Sequence, residues 1–224
     1  MTRRQCYLTG IGVSAVSGVL ITASMPNFDL SLLGWVALVP LLLAIEVLPK
    51  ASPAILAMPF GLIWSIAVHN WYPNMFGPSL GCFLIVATGC WYALLIGLGI
   101  QLQRRMAGVL RLLALPALWT AVEFVKYIAP GVEDWWFVLL AKSQWRFPPA
   151  LQILSVTGFP GLTFLVMLSN VALAFLLLKA WREHKLDRLS AAALMIVISV
   201  VGWGAVTIPE PPQDTFSIVA TVVV

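Results

Sequence analysis

Residues 80–102 read LGCFLIVATGCWYALLIGLGIQL, twenty-three positions without a charge, and Gln103, Arg104 and Arg105 follow at once. A helix rises about 1.5 Å per residue, so about 20 apolar residues cross a hydrocarbon core about 30 Å thick. This stretch is long enough, apolar on every side and closed by two arginines, which predicts a membrane span ending on the basic side of the bilayer. Working outward, comparable runs occupy residues 8–25, 30–46, 54–70, 109–128, 158–179 and 190–208. The second carries Pro40 and the third carries Pro59 and Gly61. Such breakers are tolerated in spans whose freed backbone groups find partners on neighbouring helices.

Composition gives the same class. The chain has 224 residues, of which 61% are hydrophobic and 10% charged, with a mean hydropathy of +0.96. An average soluble domain is about 45–50% apolar and about 25% charged. The net charge of +4 does not point to nucleic acid, because the basic residues stand in short clusters between apolar runs rather than along one face. Cys6, Cys82 and Cys90 form neither a disulfide framework nor a metal pair, and Cys82 and Cys90 are expected to be small buried thiols. His69 and His184 lack ligand spacing. No metal and no cofactor is expected.

Counting cations in alternate loops sets the orientation. With the N-terminus in the cytoplasm, that side holds Arg3, Arg4, Lys50, Arg104, Arg105, Arg111, Lys179, Arg182, Lys185 and Arg188. The other side holds Lys126, Lys142 and Arg146. The fold expected is therefore an all-α polytopic bundle of about seven spans over residues 1–208, with the C-terminus extracytoplasmic. Residues 1–24 could alternatively be a signal peptide, but the next apolar run follows after only Pro26 to Asp29.

Residues 129–157 make the longest outer connection, expected as an interfacial loop anchored by aromatic rings. Trp135, Trp136, Lys142, Gln144, Trp145 and Arg146 are the candidates there for a rim that meets lipid. Lys142 and Arg146, four apart, would face one phosphate on a helix. Glu123 lies inside the fifth span, and an ionisable group there is a functional candidate by default; pairing with Lys126, three residues on, is the structural alternative. Glu46 is expected to be an ordinary interfacial charge near Lys50. The tail, residues 209–224, opens with a Pro-rich linker and ends FSIVATVVV, β-branched and strand-like.

Several of these pieces together resemble the transmembrane part of bacterial apolipoprotein N-acyltransferase. They are PALWTAVEF at 116–124, which carries Trp119 and Glu123; the Asn70-Trp71 pair; Ser143-Gln144; TGFPGLTFLVMLSN at 157–170; and SIVATVVV at 217–224. The chain departs from the family pattern at Glu133-Asp134-Trp135-Trp136 and at Lys142. The resemblance implies a phospholipid acyl donor, a lipoprotein N-terminal cysteine as acceptor and a thioester intermediate on a separate nitrilase-like domain. The tail resembles that domain's first strand, so no catalytic residue is expected within these 224 positions. Two other readings fit the sequence: a membrane module that recruits a separate enzyme, such as a polyprenol-phosphate glycosyltransferase, and a small transporter, for which no inverted repeat speaks.

Overall fold

The computed structural model describes residues 3–48, 51–129 and 138–208. The expected strand at 217–224, Trp135, Trp136 and Lys50 lie outside the described residues, as do the side chains of Arg3, Arg4 and Cys6. The described elements are helices α1 (Arg3–Ser24), α2 (Val39–Val47), α3 (Pro53–Val68), α4 (Tyr72–Phe76), α5 (Pro78–Arg105), α6 (Gly108–Ile128), α7 (Pro148–Leu151), α8 (Leu154–Glu183) and α9 (Arg188–Val206). Two 3-10 turns, Ser31–Trp35 and Leu140–Gln144, complete the set. Helices α1, α5, α6, α8 and α9 are each long and apolar enough to cross a membrane, and the 31–47 and 53–68 segments are shorter apolar helices. The protein is an all-α membrane protein.

The long helices close into a ring in which α1 packs on α3, α3 on α5, α5 on α6 and α6 on α8. α2 bridges α1 and α8, and α9 lies outside against α8. Without water to drive association, helices in lipid gain by close backbone approach at small residues. The α3–α5 crossing shows this: a Cβ built on Gly61 would run into the carbonyl of Gly89. Cys82 departs from its expected burial. It is exposed on α5, because the packed stripe of that helix runs through Gly81, Ile85, Gly89 and Ala93, and position 82 falls beside it.

The run at 30–46 is not one continuous helix. It is the Ser31–Trp35 turn, a short link and then α2, with Pro40 in α2's first turn. Proline has no N–H, and the irregular backbone before it needs partners that lipid cannot supply. Side chains from elsewhere supply them. The Leu38 N–H donates to Asn170 Oδ1 at 2.7 Å and the Leu41 N–H to Ser17 Oγ at 2.9 Å. Asn170 Nδ2 and Ser169 Oγ donate to the carbonyls of Gly34 (2.8 Å) and Trp35 (3.0 Å). In α3, where Pro59 interrupts the ladder, the Phe60 N–H donates to Ser14 Oγ at 3.3 Å.

The basic loops converge at one end of the bundle. Arg104 Nη2 donates to the Ile45 carbonyl at 3.4 Å, Arg182 Nη2 to the Glu46 carbonyl at 2.8 Å, and Arg111 pairs with the Glu46 carboxylate at 3.4 Å. Glu46 thus takes Arg111 of α6 as its partner. Asp29 and Arg146 pair at 2.6 Å at the other end.

Candidate functional site

At the end opposite the basic loops, the 129–157 connection does not simply lie on the surface. Val138 to Ala141, Ser143 and Gln144 are buried. The two 3-10 turns meet here: Gln144 Nε2 donates to the Ser31 carbonyl and to Ser143 Oγ, both at 2.9 Å. Glycine at position 34 allows this approach, since a Cβ there would sit 2.7 Å from Gln144 Nε2 and 2.8 Å from Ser143 Oγ and displace them.

Glu123 holds that inward loop in place. It is 4% exposed. Its Oε1 accepts from Trp119 Nε1 at 2.9 Å and from the Leu140 N–H at 2.8 Å, and its Oε2 accepts from Thr163 Oγ1 at 2.7 Å. Trp119 lies one turn back on α6, Leu140 opens the loop turn and Thr163 comes from α8, so one carboxyl joins three elements. Lys126, its alternative partner on the sequence, forms no ion pair with it within 4 Å. Trp119 in turn stacks with Trp64 (5.9 Å between centroids) and Tyr92 (6.1 Å), while Trp64 and Tyr92 lie 4.3 Å apart.

Tyr92 is where this buried column reaches open space. A cavity of about 530 Å³ lies between α5 and α6 beneath Val138, a size typical of small-molecule sites. Its walls are Leu84, Ala87, Trp91, Val122 and Val125, while His69, Tyr72 and Lys126 bring polar atoms. Ala87, Trp91, Ala121 and Val125 are exposed, so the cavity opens sideways onto the helix faces that lipid covers. His69 itself is buried, with Nδ1 3.1 Å from the Ser65 carbonyl.

Of the candidates taken from the sequence, Asn70, Trp71, Trp119, Glu123, Lys142, Gln144, Trp145 and Arg146 do not line this cavity, while Trp135 and Trp136 lie outside the described residues. Trp119 and Glu123 stand behind its wall. Asn70 and Trp71 are exposed beside it, with Trp71 edge-on to Tyr72 at 4.6 Å. Gln144 is buried at the junction of the turns. Lys142 is half-buried within the 3-10 turn and Arg146 is exposed beyond its end; burial lowers the Lys142 pKa from the usual lysine value. Arg146 is engaged by Asp29 and lies over the Trp145 ring at 4.5 Å. Sequence reasoning missed His69, Tyr72, Tyr92 and Lys126 as a group. The nearest signal was the Asn70-Trp71 pair, which His69 and Tyr72 flank.

Residues 17–172 match the family described as apolipoprotein N-acyltransferase N-terminal domain. The chain is similar to the apolipoprotein N-acyltransferase of Geobacter metallireducens, 28% identical over 221 residues, covering 92% of this chain and 41% of that protein. It is similar to the enzyme of the same name from Thermotoga maritima, 29% identical over 184 residues, covering 75% of this chain and 36% of that one. Apolipoprotein N-acyltransferase 2 of Treponema pallidum is 31% identical over 170 residues, covering 72% and 30% respectively. The chain spans less than half the length of these relatives.

Proposed function

This chain belongs to the apolipoprotein N-acyltransferase family, and we propose on that premise that it is the membrane portion of such an enzyme, seating the acyl chain of a phospholipid in the cavity between α5 and α6. The observation that carries the reading is the shape and chemistry of that cavity: apolar walls, a sideways opening toward lipid, and His69, Tyr72 and Lys126 among its polar groups. A lipid enters from the bilayer without leaving hydrocarbon, and an ammonium such as Lys126 suits a phosphate or ester oxygen at the interface. Glu123 positions the loop above the cavity through Leu140 and does not act on substrate.

In this reading the acyl chain passes to a cysteine thiolate on a nitrilase-like domain outside residues 1–224, and then to the amine of a lipoprotein's N-terminal cysteine. The ester bond to the glycerol breaks as the thioester forms; the amine then displaces the thiolate, giving an amide. The ten-to-three division of the 13 Lys and Arg residues supports an orientation with the cavity at the extracytoplasmic end, and the family supports an inner-membrane location.

The test joins this chain to the remaining part of a relative and measures acyl transfer to a diacylated N-terminal-cysteine peptide in phospholipid vesicles. Transfer is expected from the joined protein and none from residues 1–224 alone. Ala87→Trp, which fills an exposed wall of the cavity, is expected to lower transfer at least tenfold, about 1.4 kcal/mol, while the protein stays folded. Transfer by residues 1–224 alone would refute the division of labour, and full activity in Ala87→Trp would refute the cavity.

A further inference from the structure

At the opposite end of the bundle, a second cavity of about 310 Å³ lies among the start of α6, the last turns of α8 and the start of α9. Three cations line it: Arg111, Lys179 and Arg182. So do three carboxylates, Glu46, Glu183 and Asp187. Leu112, Phe175, Leu178 and Leu189 give it an apolar wall, of which Leu112 and Leu178 are buried. The cavity therefore has an acyl-compatible side and a charged side.

The cations are not equally neutralised. Lys179 meets Asp187 at 3.1 Å, and Arg111 meets Glu46 at a looser 3.4 Å. Arg182 spends one Nη2 hydrogen on the backbone carbonyl of Glu46 at 2.8 Å, a neutral acceptor, and forms no ion pair within 4 Å among the described residues. Arg111 Nε is enclosed without an acceptor, and its guanidinium plane is held over the Phe175 ring, 4.9 Å from the centroid. An arginine without an ion pair among the described residues, a second arginine in a loose pair and a lysine, set beside an apolar wall at a helix end, match a phosphate that carries acyl chains. A free anion would use the charges and leave the apolar wall wet.

We propose that this cavity is a binding site for an anionic phospholipid of the leaflet on the basic side, its phosphate held by Arg182, Arg111 and Lys179 and its acyl carbons lying against Leu112, Phe175 and Leu178. Basic pockets between membrane helices on the cytoplasmic side hold lipid headgroups by this combination. Glu46 and Asp187 keep Arg111 and Lys179 extended toward the site in the absence of lipid. The site is separate from the α5–α6 cavity and does not depend on the acyl-transfer reading.

The test uses the full 224-residue chain in neutral phosphatidylcholine nanodiscs, with phosphatidylglycerol titrated in and both binding and thermal stability measured. Phosphatidylglycerol is expected to bind with saturation and to raise the melting temperature. Arg182→Gln and Lys179→Gln are each expected to weaken that binding about fivefold, the ratio equivalent to the ~1 kcal/mol that one basic side chain contributes at an anionic surface. Lys185→Gln removes the same charge from an exposed position outside the cavity and is expected to leave binding unchanged. Equal weakening in all three variants would mean diffuse attraction and overturn the site, as would no saturable binding by the unaltered chain. Inorganic phosphate alone, in neutral nanodiscs, is expected to give no stabilisation; if it reproduces the effect, the ligand is a free anion and the lipid assignment falls. Should a glutamine variant melt early in neutral lipid, Arg182→Lys and competition between the two lipids on the unaltered chain decide the matter.

Discussion

Glu46 and Glu123 are both glutamates near the end of a helix, and the chain treats them in opposite ways. The Glu46 side chain is 14% exposed, meets Arg111 at 3.4 Å and sits at a face lined by exposed cations. Glu123 lies in the core and accepts hydrogen bonds from an indole, a backbone amide and a hydroxyl, with no ion pair among the described residues. Where water reaches, charge is balanced by charge, loosely and reversibly. Where it does not, the carboxyl is met by oriented dipoles that fix one geometry. One end of the bundle is therefore adaptable, and the other is built to hold a loop above a cavity.

The sharpest way to break this contrast is Glu123→Ala, which strands the Trp119, Leu140 and Thr163 donors together. A buried donor left unsatisfied costs about 1–3 kcal/mol, so a loss of at least about 3 kcal/mol is expected, seen as a melting temperature lowered by roughly 10 °C in detergent at about 2–4 °C per kcal/mol. Glu123→Gln keeps an acceptor for Trp119 and Leu140, and its amide can donate to the Thr163 hydroxyl. It is expected to recover most of the stability. Equal damage from both substitutions would show that charge, not hydrogen-bond geometry, is what the core requires. Next in size is Asn170→Ala, which removes one acceptor and one donor from the irregular 31–41 backbone. A loss of about 2 kcal/mol is expected, with hydrogen exchange at Leu38 as the local readout; protection unchanged there would mean the broken segment holds itself.

These two residues also mark what the sequence could and could not disclose. α5 was legible from residue 80 onward because an uncharged run of that length has one physical solution. Glu123 was legible as a functional candidate, because an ionisable group within a span must be accounted for. Its partners were not, since only Trp119 is close in sequence, and Leu140 and Thr163 arrive through folding. The 30–46 run looked like a short helix for the same reason. Leu38 and Asn170 are 132 positions apart, so nothing local showed that a remote side chain could replace a helical hydrogen bond. The α5–α6 cavity was hidden for a related reason: its polar groups come from elements that only tertiary packing brings together, and the sequence candidates Trp71 and Trp119 stand beside and behind it.

At the adaptable end, Asp187 tests how far the contrast extends. Burial raises the pKa of its carboxyl, but the Ser190 hydroxyl and backbone N–H and the Lys179 ammonium more than offset this, leaving it below the ordinary aspartate value. A carboxylate with a depressed folded pKa stabilises the fold above the unfolded value of about 3.9 and loses that contribution as pH falls through the folded value. Asp187→Ala is expected to lose about 1 kcal/mol at neutral pH, the size of a lost N-cap. That deficit should shrink as pH is lowered from about 5 toward about 3. A deficit independent of pH over that interval would leave only the cap geometry and remove the electrostatic part.

The smallest effect is expected at Glu46 itself. A partly exposed pair gives about 0–1 kcal/mol, and at 3.4 Å the Arg111 contact is long for a charge-assisted hydrogen bond, so Glu46→Gln is expected to change stability by no more than about 0.5 kcal/mol. Salt distinguishes the two ends more clearly than magnitude does. Screening acts within about 3 Å at 1 M and about 10 Å at 0.1 M for exposed charges, so the difference between Glu46→Gln and the unaltered chain should vanish in high salt. The Glu123→Ala deficit, which arises from stranded donors in the core, should persist there unchanged. If Glu46→Gln instead proved as damaging as Glu123→Ala and equally indifferent to salt, the basic end would be as rigidly built as the other, and the distinction between an adaptable face and a fixed one would collapse.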